Sequence, residues 1–314
     1  MNIPDFGEIR SAAERINPYI HRTPVLKSSA INEICNADLY FKCENFQKMG
    51  AFKMRGAMNA VLQLSDSEKK NGVATHSSGN FAQALSLAAK ILKIKAYIVM
   101  PSNSAQVKKN AVLGYGAEII ECEPTLSARE ETLAKVVERT GARFIHPYND
   151  TNVILGNSTA ALELFIETSD LDFILAPVGG GGLLAGTALA SYHLSPDCKI
   201  IGCEPFAADD AYRSLETGII QPSINPNTIA DGLRTSLGDK TFPIIKQLVT
   251  QIVRVEETEI VEAMRMIWER MKIIVEPSSA VAFAVILKEK ELFRSSRTGI
   301  ILSGGNVDLG HLPF

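Results

Sequence analysis

Apolar and polar positions recur along the chain with two different periods, and the switches between them predict its elements. Residues 5–20 place Ile9, Ala12, Ala13 and Ile16 on one stripe at helical spacing, with Pro18 ending the run. HRTPVL (21–26) reads as an extended approach, because Pro24 disfavours helix at Thr23. Leu39 to Cys43 reads as a short strand, and the pattern turns helical again at Ala57, Met58, Ala60 and Val61. SDSEKKNG (65–72) reads as a polar junction and a domain edge. A regular alternation follows, with strands at 72–77, 95–100, 117–122 and 143–147 and helices at 80–92, 104–113 and 127–140. A second series runs helix 155–168, strand 171–178, helix 183–193, strand 199–204. Residues 205–250, with Pro205, Pro222, Pro226 and Pro243, read as irregular chain packed across the surface. Helix 257–272 carries Ile260, Met264, Ile267 and Met271 on a core-facing stripe, and helix 277–290 and strand 299–304 follow. Strands alternating with helices imply an α/β protein with mainly parallel sheets covered on both faces, and 71–149 reads as one compact unit of it.

Composition narrows the function classes. The 314 residues suffice for one large α/β domain or two smaller ones, and 46% hydrophobic with 21% charged residues is ordinary for a globular chain. A net charge of −3 and the lack of a basic stripe argue against a nucleic-acid partner. MNIPDFGEIR carries acids where a signal peptide has an apolar core, and no apolar run is long enough to span a bilayer. Five scattered cysteines with no C-x-x-C read as reduced, buried thiols of a cytoplasmic protein.

Several segments carry candidate chemistry. Lys53 lies where a strand-derived loop enters a helix, flanked by Phe52 and Met54. Apolar neighbours disfavour its ammonium and lower its pKa, as a Schiff-base or proton-shuttling lysine requires; the plainer alternative is a snorkelling cation. SSGNF (77–81) joins a strand to a helix, so its backbone N–H groups and the helix dipole make a carboxylate receptor, or merely a serine cap. GGGG (179–182) follows a buried strand and opens a helix, where backbone amides approach a phosphate closely. Gly180, Gly182 and Ala185, with Glu204 ending the next strand, also fit a dinucleotide fingerprint. SGGN (303–306) offers the Ser303 hydroxyl to a ring nitrogen, or forms only a turn. Glu204 and Asp210, with a carbonyl between them, form either a hard-cation site or a surface acidic patch.

Taken together and in order, GAFKMRG (50–56), SSGN (77–80), PVGGGGL (177–183), EPSSA (276–280) and SGGNVD (303–308) resemble the fold-type II pyridoxal-phosphate enzymes. Within that group the chain is most similar to the serine racemase and biodegradative serine/threonine dehydratase family, a likeness that extends to ADDAYRS (208–214), IADGLRTS (229–236) and WERMK (268–272). The resemblance implies a tryptophan synthase β-like fold of two three-layer α/β domains. The large one would comprise 1–64 and 150–314, and the small mobile one 71–149. It implies pyridoxal 5′-phosphate joined to Lys53 as a Schiff base, with Phe52 behind the ring, Asn80 at its 3′-oxygen and Ser303 at its pyridine nitrogen. Gly179, Gly180, Gly181, Gly182 and Leu183 would cradle the phosphate. Ser77, Ser78, Gly79 and Asn80 would hold the substrate carboxylate, with Ser78 as acid/base on the face opposite Lys53. Glu204, the Ala208 carbonyl and Asp210 match the family's divalent-cation site (Mg, Ca or Mn), and the family expectation is a homodimer.

The activity so implied is α,β-elimination from L-threonine or L-serine to a 2-oxo acid and ammonia. The alternatives are serine racemisation and 3-hydroxyaspartate dehydration. Phe81 stands where the relatives usually carry histidine. Tyr148 stands where racemases carry asparagine and many dehydratases a bulky aromatic, and both changes argue against strong racemase activity. Arg129 matches an arginine near the racemases' substrate entrance, suited to an acidic β-substituent. A β-replacement enzyme of the cysteine synthase type shares the fold, but RGAMNA speaks against it. Outside catalysis, the rival is a nucleotide-binding module that uses only the glycine loop.

Overall fold

A computed structural model describes residues 3–104 and 106–314. The chain starts with α1 (Phe6–Ile16), which Asp5 and Glu8 cap reciprocally and which buries Ile9, Ala12 and Ile16. After β1 (Val25–Leu26), a short helix α2 (Ser29–Cys35) leads into β2 (Asp38–Cys43). Then come α3 (Lys53–Leu62) and α4 (Asp66–Asn71). The expected polar junction at 65–72 is therefore a helix. It buries no residue, so it lacks the apolar stripe that signals one, and a Ser65/Glu68 capping box supports it instead.

The alternating stretch folds as β3 (Val73–His76), α5 (Asn80–Leu92), β4 (Ala96–Pro101), α6 (Gln106–Gly114), β5 (Glu118–Cys122), α7 (Leu126–Thr140) and β6 (Arg143–Phe144). Ala105, within the expected helix 104–113, lies outside the described residues. These strands form a four-stranded, wholly parallel sheet in the order β5-β4-β3-β6. Successive strand residues point to opposite faces. Val73, Ile98 and Met100 pack with the α5 side chains, whereas Ala74, Tyr97 and Val99 meet Leu133 and Val136 of α7.

The second series gives α8 (Thr151–Glu167), β7 (Phe173–Pro177), α9 (Gly182–Leu194) and β8 (Lys199–Pro205). The stretch expected to be irregular contains α10 (Asp210–Thr217), a 3₁₀ turn at 231–233 and α11 (Thr241–Leu248), followed by β9 (Gln251–Val255). Pro243 does not break α11, because it occupies the first turn, where no intrahelical N–H bond is lost. Nor does the segment merely cover the surface, since Leu237, Phe242 and Ile245 are buried in the core. The chain continues through α12 (Glu257–Met271), α13 (Pro277–Lys288), α14 (Lys290–Phe293) and β10 (Arg297–Leu302).

The large sheet has the order β1-β2-β10-β7-β8-β9 and is parallel except at β1/β2. One face packs on α2, α12 and α13, the other on α1, α8, α9 and α11, giving three layers. Each fully buried Leu or Ile there contributes about 1.5–3 kcal/mol. The start of α3 is fixed by two features. Gly156 lets α8 approach so closely that an added Cβ would stand 2.5 Å from the Arg55 carbonyl oxygen. Arg55, fully buried, pairs with Glu44 (2.7 Å) and Glu163 (2.7 Å), and Lys42 also pairs with Glu163 (2.7 Å). Balanced and hydrogen-bonded on both sides, this quartet ties β2, α3 and α8 together directly behind Lys53.

Candidate active site

The end of β10 is stitched to the start of α3. Ala51 and Gly304 form an antiparallel bridge, Phe52 N–H donates to the Ser303 carbonyl (3.0 Å) and Gly305 N–H to the Gly50 carbonyl (2.9 Å). Lys53 therefore opens α3 beside the segment carrying buried Ser303. Its amine lies 5.0 Å from the Phe52 ring centre and 5.8 Å from that of Phe81, and donates to the Pro147 carbonyl at 2.9 Å. Burial pulls its pKa down to about 8, against the opposing charge of Glu276. Relative to an ordinary lysine, that raises the neutral fraction at pH 7 to roughly one in ten.

Pro147 reaches the lysine because the expected strand 143–147 is shorter than its pattern suggests. Only Arg143–Phe144 pair as strand, and the chain then turns about His146, whose Nδ1 accepts from Tyr148 N–H (3.3 Å) and Asn149 N–H (3.0 Å). Holding two donors leaves that nitrogen unprotonated. Burial, with His76 and Lys53 nearby, pushes the His146 pKa down to about 4.

Asn80, the first residue of α5, is locked in a polar triangle. Its Nδ2 donates to both oxygens of Glu276 (2.9 and 3.1 Å), while Asn306 Nδ2 donates to its Oδ1 (2.9 Å) and Asn306 N–H to Glu276 (3.2 Å). Glu276 occupies the residue before α13 and is 5% exposed; burial, with Asp231 nearby, pushes its pKa up to about 7. The sequence assigns no role to Glu276 within EPSSA (276–280). The local signal for it is an acid between a strand-like run and a proline-led helix.

Gly179, Gly180, Gly181 and Gly182 connect β7 to α9, and Leu183 is buried in the first turn of α9. Gly181 has φ +86°, a left-handed conformation suited to glycine. A Cβ on Gly180 would overlap the Tyr148 ring, so Tyr148 and the loop backbone lie in direct apposition. Thr241 Oγ1 fixes the loop by donating to the Gly180 carbonyl (2.9 Å). The first amides of α9 have no acceptor within the helix and carry its positive dipole end. Ser77, Ser78 and Gly79 form the turn before α5, with Gly79 N–H donating to Ser77 Oγ (3.3 Å) and nothing within 4 Å of where a Gly79 Cβ would sit.

Glu204, Ala208 and Asp210 lie apart from this centre, between the end of β8 and the start of α10. Glu204 is fully buried and accepts from the N–H groups of Ala211 (2.9 Å) and Tyr212 (2.8 Å). With both oxygens so engaged it is not presented to a ribose, which removes the dinucleotide reading of the loop. Asp210 is also fully buried and neither of its oxygens makes a well-aligned hydrogen bond, although the Ser223 hydroxyl and the Leu237 backbone lie close enough to favour its charge. Burial pushes the Asp210 pKa up to about 7, and burial together with Asp210 raises that of Glu204 well above the usual carboxylate range. Among the described residues no group of three or more His, Cys, Asp or Glu side chains gathers in metal-binding fashion, and the pair stands with one backbone carbonyl candidate, Ala208.

The model of the family described as "Pyridoxal-phosphate dependent enzyme" matches residues 16–304. The chain belongs to this family. A β-hydroxyaspartate dehydratase of Paracoccus denitrificans (strain Pd 1222) is 50% identical over 314 residues, covering 100% of both chains. The crystal structure of serine racemase from Dictyostelium discoideum superposes with a TM-score of 0.94 at 50% identity, covering 98% of this chain and 100% of that one. The crystal structure of a threonine deaminase from T.th. gives a TM-score of 0.92 at 42% identity, covering 98% of this chain and 99% of that one.

The centre fits a pyridoxal-phosphate dependent enzyme on its own geometry. A half-buried amine of lowered pKa and a glycine-opened helix N-terminus are complementary to an aldehyde and a phosphate. The fully free, buried cysteines take no part in it, and no described helix is long and apolar enough to cross a membrane.

Proposed function

We propose that the chain is a pyridoxal-phosphate-dependent ammonia-lyase that removes water and ammonia from small hydroxy amino acids. The observation that carries this reading is the Lys53 amine, depressed to about 8 and aimed from a helix start into the centre. Pyridoxal phosphate, when bound, supplies the conjugated ring that takes up the electron pair left at Cα. Lys53 would carry the cofactor and, once released by the substrate, remove the Cα proton. Phe52 would back the ring, Asn80 would meet its 3′-oxygen and Ser303, a neutral hydroxyl, its ring nitrogen. Gly179, Gly180, Gly181, Gly182 and Leu183 would hold the phosphate through their amides. Ser77, Ser78 and Gly79 would grip the substrate carboxylate, with Asn80 beside it. A hydroxyl at the ring nitrogen sustains little positive charge there, which favours prompt loss of the β-hydroxyl over storage of charge. The amino acid loses water across Cα–Cβ, and the released enamine takes up water to give a 2-oxo acid and ammonia.

L-Threonine and L-serine are the substrates of this reading. A second, 3-hydroxyaspartate, is favoured by half-buried Arg129 of α7, whose charge bears on both His76 and Tyr148 at the centre and would meet an acidic β-substituent. Racemisation would need Ser78 to return a proton on the opposite face. Initial rates on the three substrates, with chiral analysis of recovered amino acid, decide among these. Arg129→Met should lower kcat/KM for 3-hydroxyaspartate more than for threonine.

The proposal includes a divalent cation held by Glu204, the Ala208 carbonyl and Asp210 and completed by water. Its support is a buried carboxylate pair in which neither Asp210 oxygen makes a well-aligned hydrogen bond, a costly arrangement without a positive charge. It also includes a mobile 71–149 unit closing over the substrate, a cytoplasmic setting compatible with the free cysteines, and a homodimer.

A further inference from the structure

Asp209 and Asp210 are adjacent in sequence and have opposite surroundings. Asp209 accepts from Arg213 Nε at 2.8 Å through one oxygen and from Arg254 Nη1 at 2.8 Å through the other. Asp210, fully buried, accepts from neither. Yet both arginines stand close to the Glu204–Asp210 pair. Arg254 of β9 is the register partner of Glu204 on β8. Arg213 lies on α10, four residues after Asp209 and three after Asp210. The observed bond shows its reach to Asp209, and the i, i+3 spacing on the helix, with its charge already bearing on Asp210, brings that carboxylate within reach too. A guanidinium on Asp210 would fill its lone pairs with fixed N–H donors and offset one of the pair's two charges from within the protein.

We propose that Asp209 is a positioning residue for the cation site, holding Arg213 away from Asp210 so that the buried carboxylates remain open to a divalent ion. The other contacts around Asp209 hold the arginines in the same arrangement. Arg213 Nη2 donates to the Pro222 carbonyl (2.9 Å). The Arg254 guanidinium lies 3.8 Å from the Tyr212 ring centre and 4.6 Å from that of Phe206, a cation–π seat that keeps it in place independently of Asp209. Arg213, 36% exposed at its side chain and, Asp209 aside, held among the described residues only by the Pro222 carbonyl, is therefore the arginine that loss of Asp209 would release towards Asp210.

This inference rests on the cation reading above, and the test separates the two. Mn2+ binding to the intact holoenzyme is measured by electron paramagnetic resonance of the unbound ion, alongside melting temperature with Mn2+ and with a chelator. Wild type should bind Mn2+ and melt higher with it, and Asp209→Asn should weaken binding by about 10- to 100-fold, as loss of an outer partner of a metal site does. In Asp209→Asn/Arg213→Ala the affinity should return towards wild type, because no arginine remains to occupy Asp210. Recovery in the double variant supports sequestration, since a merely structural defect would not be cured by a second deletion. Wild-type affinity in Asp209→Asn, or no recovery in the double variant, would overturn it. A wild type that binds no Mn2+ would overturn the cation reading and this inference together.

Discussion

The amine of Lys53 and the carbonyl oxygen of Pro147 lie 2.9 Å apart. Pro147 belongs to the loop between β6 and α8 and Lys53 to the start of α3, so two chain segments far apart in sequence converge on one nitrogen. A carbonyl accepts a hydrogen bond without taking a proton, so it aims the amine while leaving its basicity to burial.

Loss of that amine should remove the chemistry and spare the fold. Lys53→Ala is expected to lower turnover of threonine or serine by more than about 100-fold, the least that a positioned base supplies. Far-ultraviolet circular dichroism should be unchanged. Wild-type activity in this variant would refute the assignment.

Glu276 predicts a pH dependence of stability in the cofactor-free protein. Its pKa is raised from 4.5 to about 7, chiefly by burial, so the folded state binds more protons than the unfolded one between those values. Stability therefore falls as pH rises across that window, by at most about 1.4 kcal/mol per unit from this group. In Glu276→Gln the fall should flatten, measured by denaturant midpoints from pH 4.5 to 7. An unaltered slope would show that the carboxyl is not held protonated.

Gly180→Ala tests the apposition of the glycine loop and Tyr148. The added methyl meets the ring of Tyr148, and overpacking of this kind costs about 1–3 kcal/mol. Pyridoxal-phosphate affinity should drop with little change in secondary structure. Gly180→Ala with Tyr148→Ala should recover part of the loss, whereas an equal defect in the pair would show that the methyl acts elsewhere.

Ser78→Ala should impair formation of D-serine and use of D-substrates more than elimination from L-serine. Chiral analysis of the reaction mixture reads both. Equal losses would remove any role confined to one face.

The parts that sequence pattern made legible are those with one dominant local signal. The βα alternation from Val73 to Thr140 announces itself by period, and the glycines at 179–182 by their place between a strand and a helix. Elements that depend on partners were harder. α4 has no apolar stripe, and α10 and α11 were masked by nearby prolines and by acids read only as ligands. β9 sits at the sheet edge, where Arg254 breaks its apolar run. The site followed the same division. Lys53 stood out by its apolar flanks, whereas Glu276 meets Asn80 across 196 positions of sequence, and Tyr148 meets Gly180 only because the chain turns at His146. Tertiary contacts of this kind leave no periodic trace.

The most direct test is borohydride reduction of the native protein purified with its cofactor, followed by peptide mass mapping. A stable phosphopyridoxyl adduct on the peptide containing Lys53 is expected, with bleaching of the visible absorbance. An unmodified Lys53, or an adduct on another lysine, would contradict the assignment.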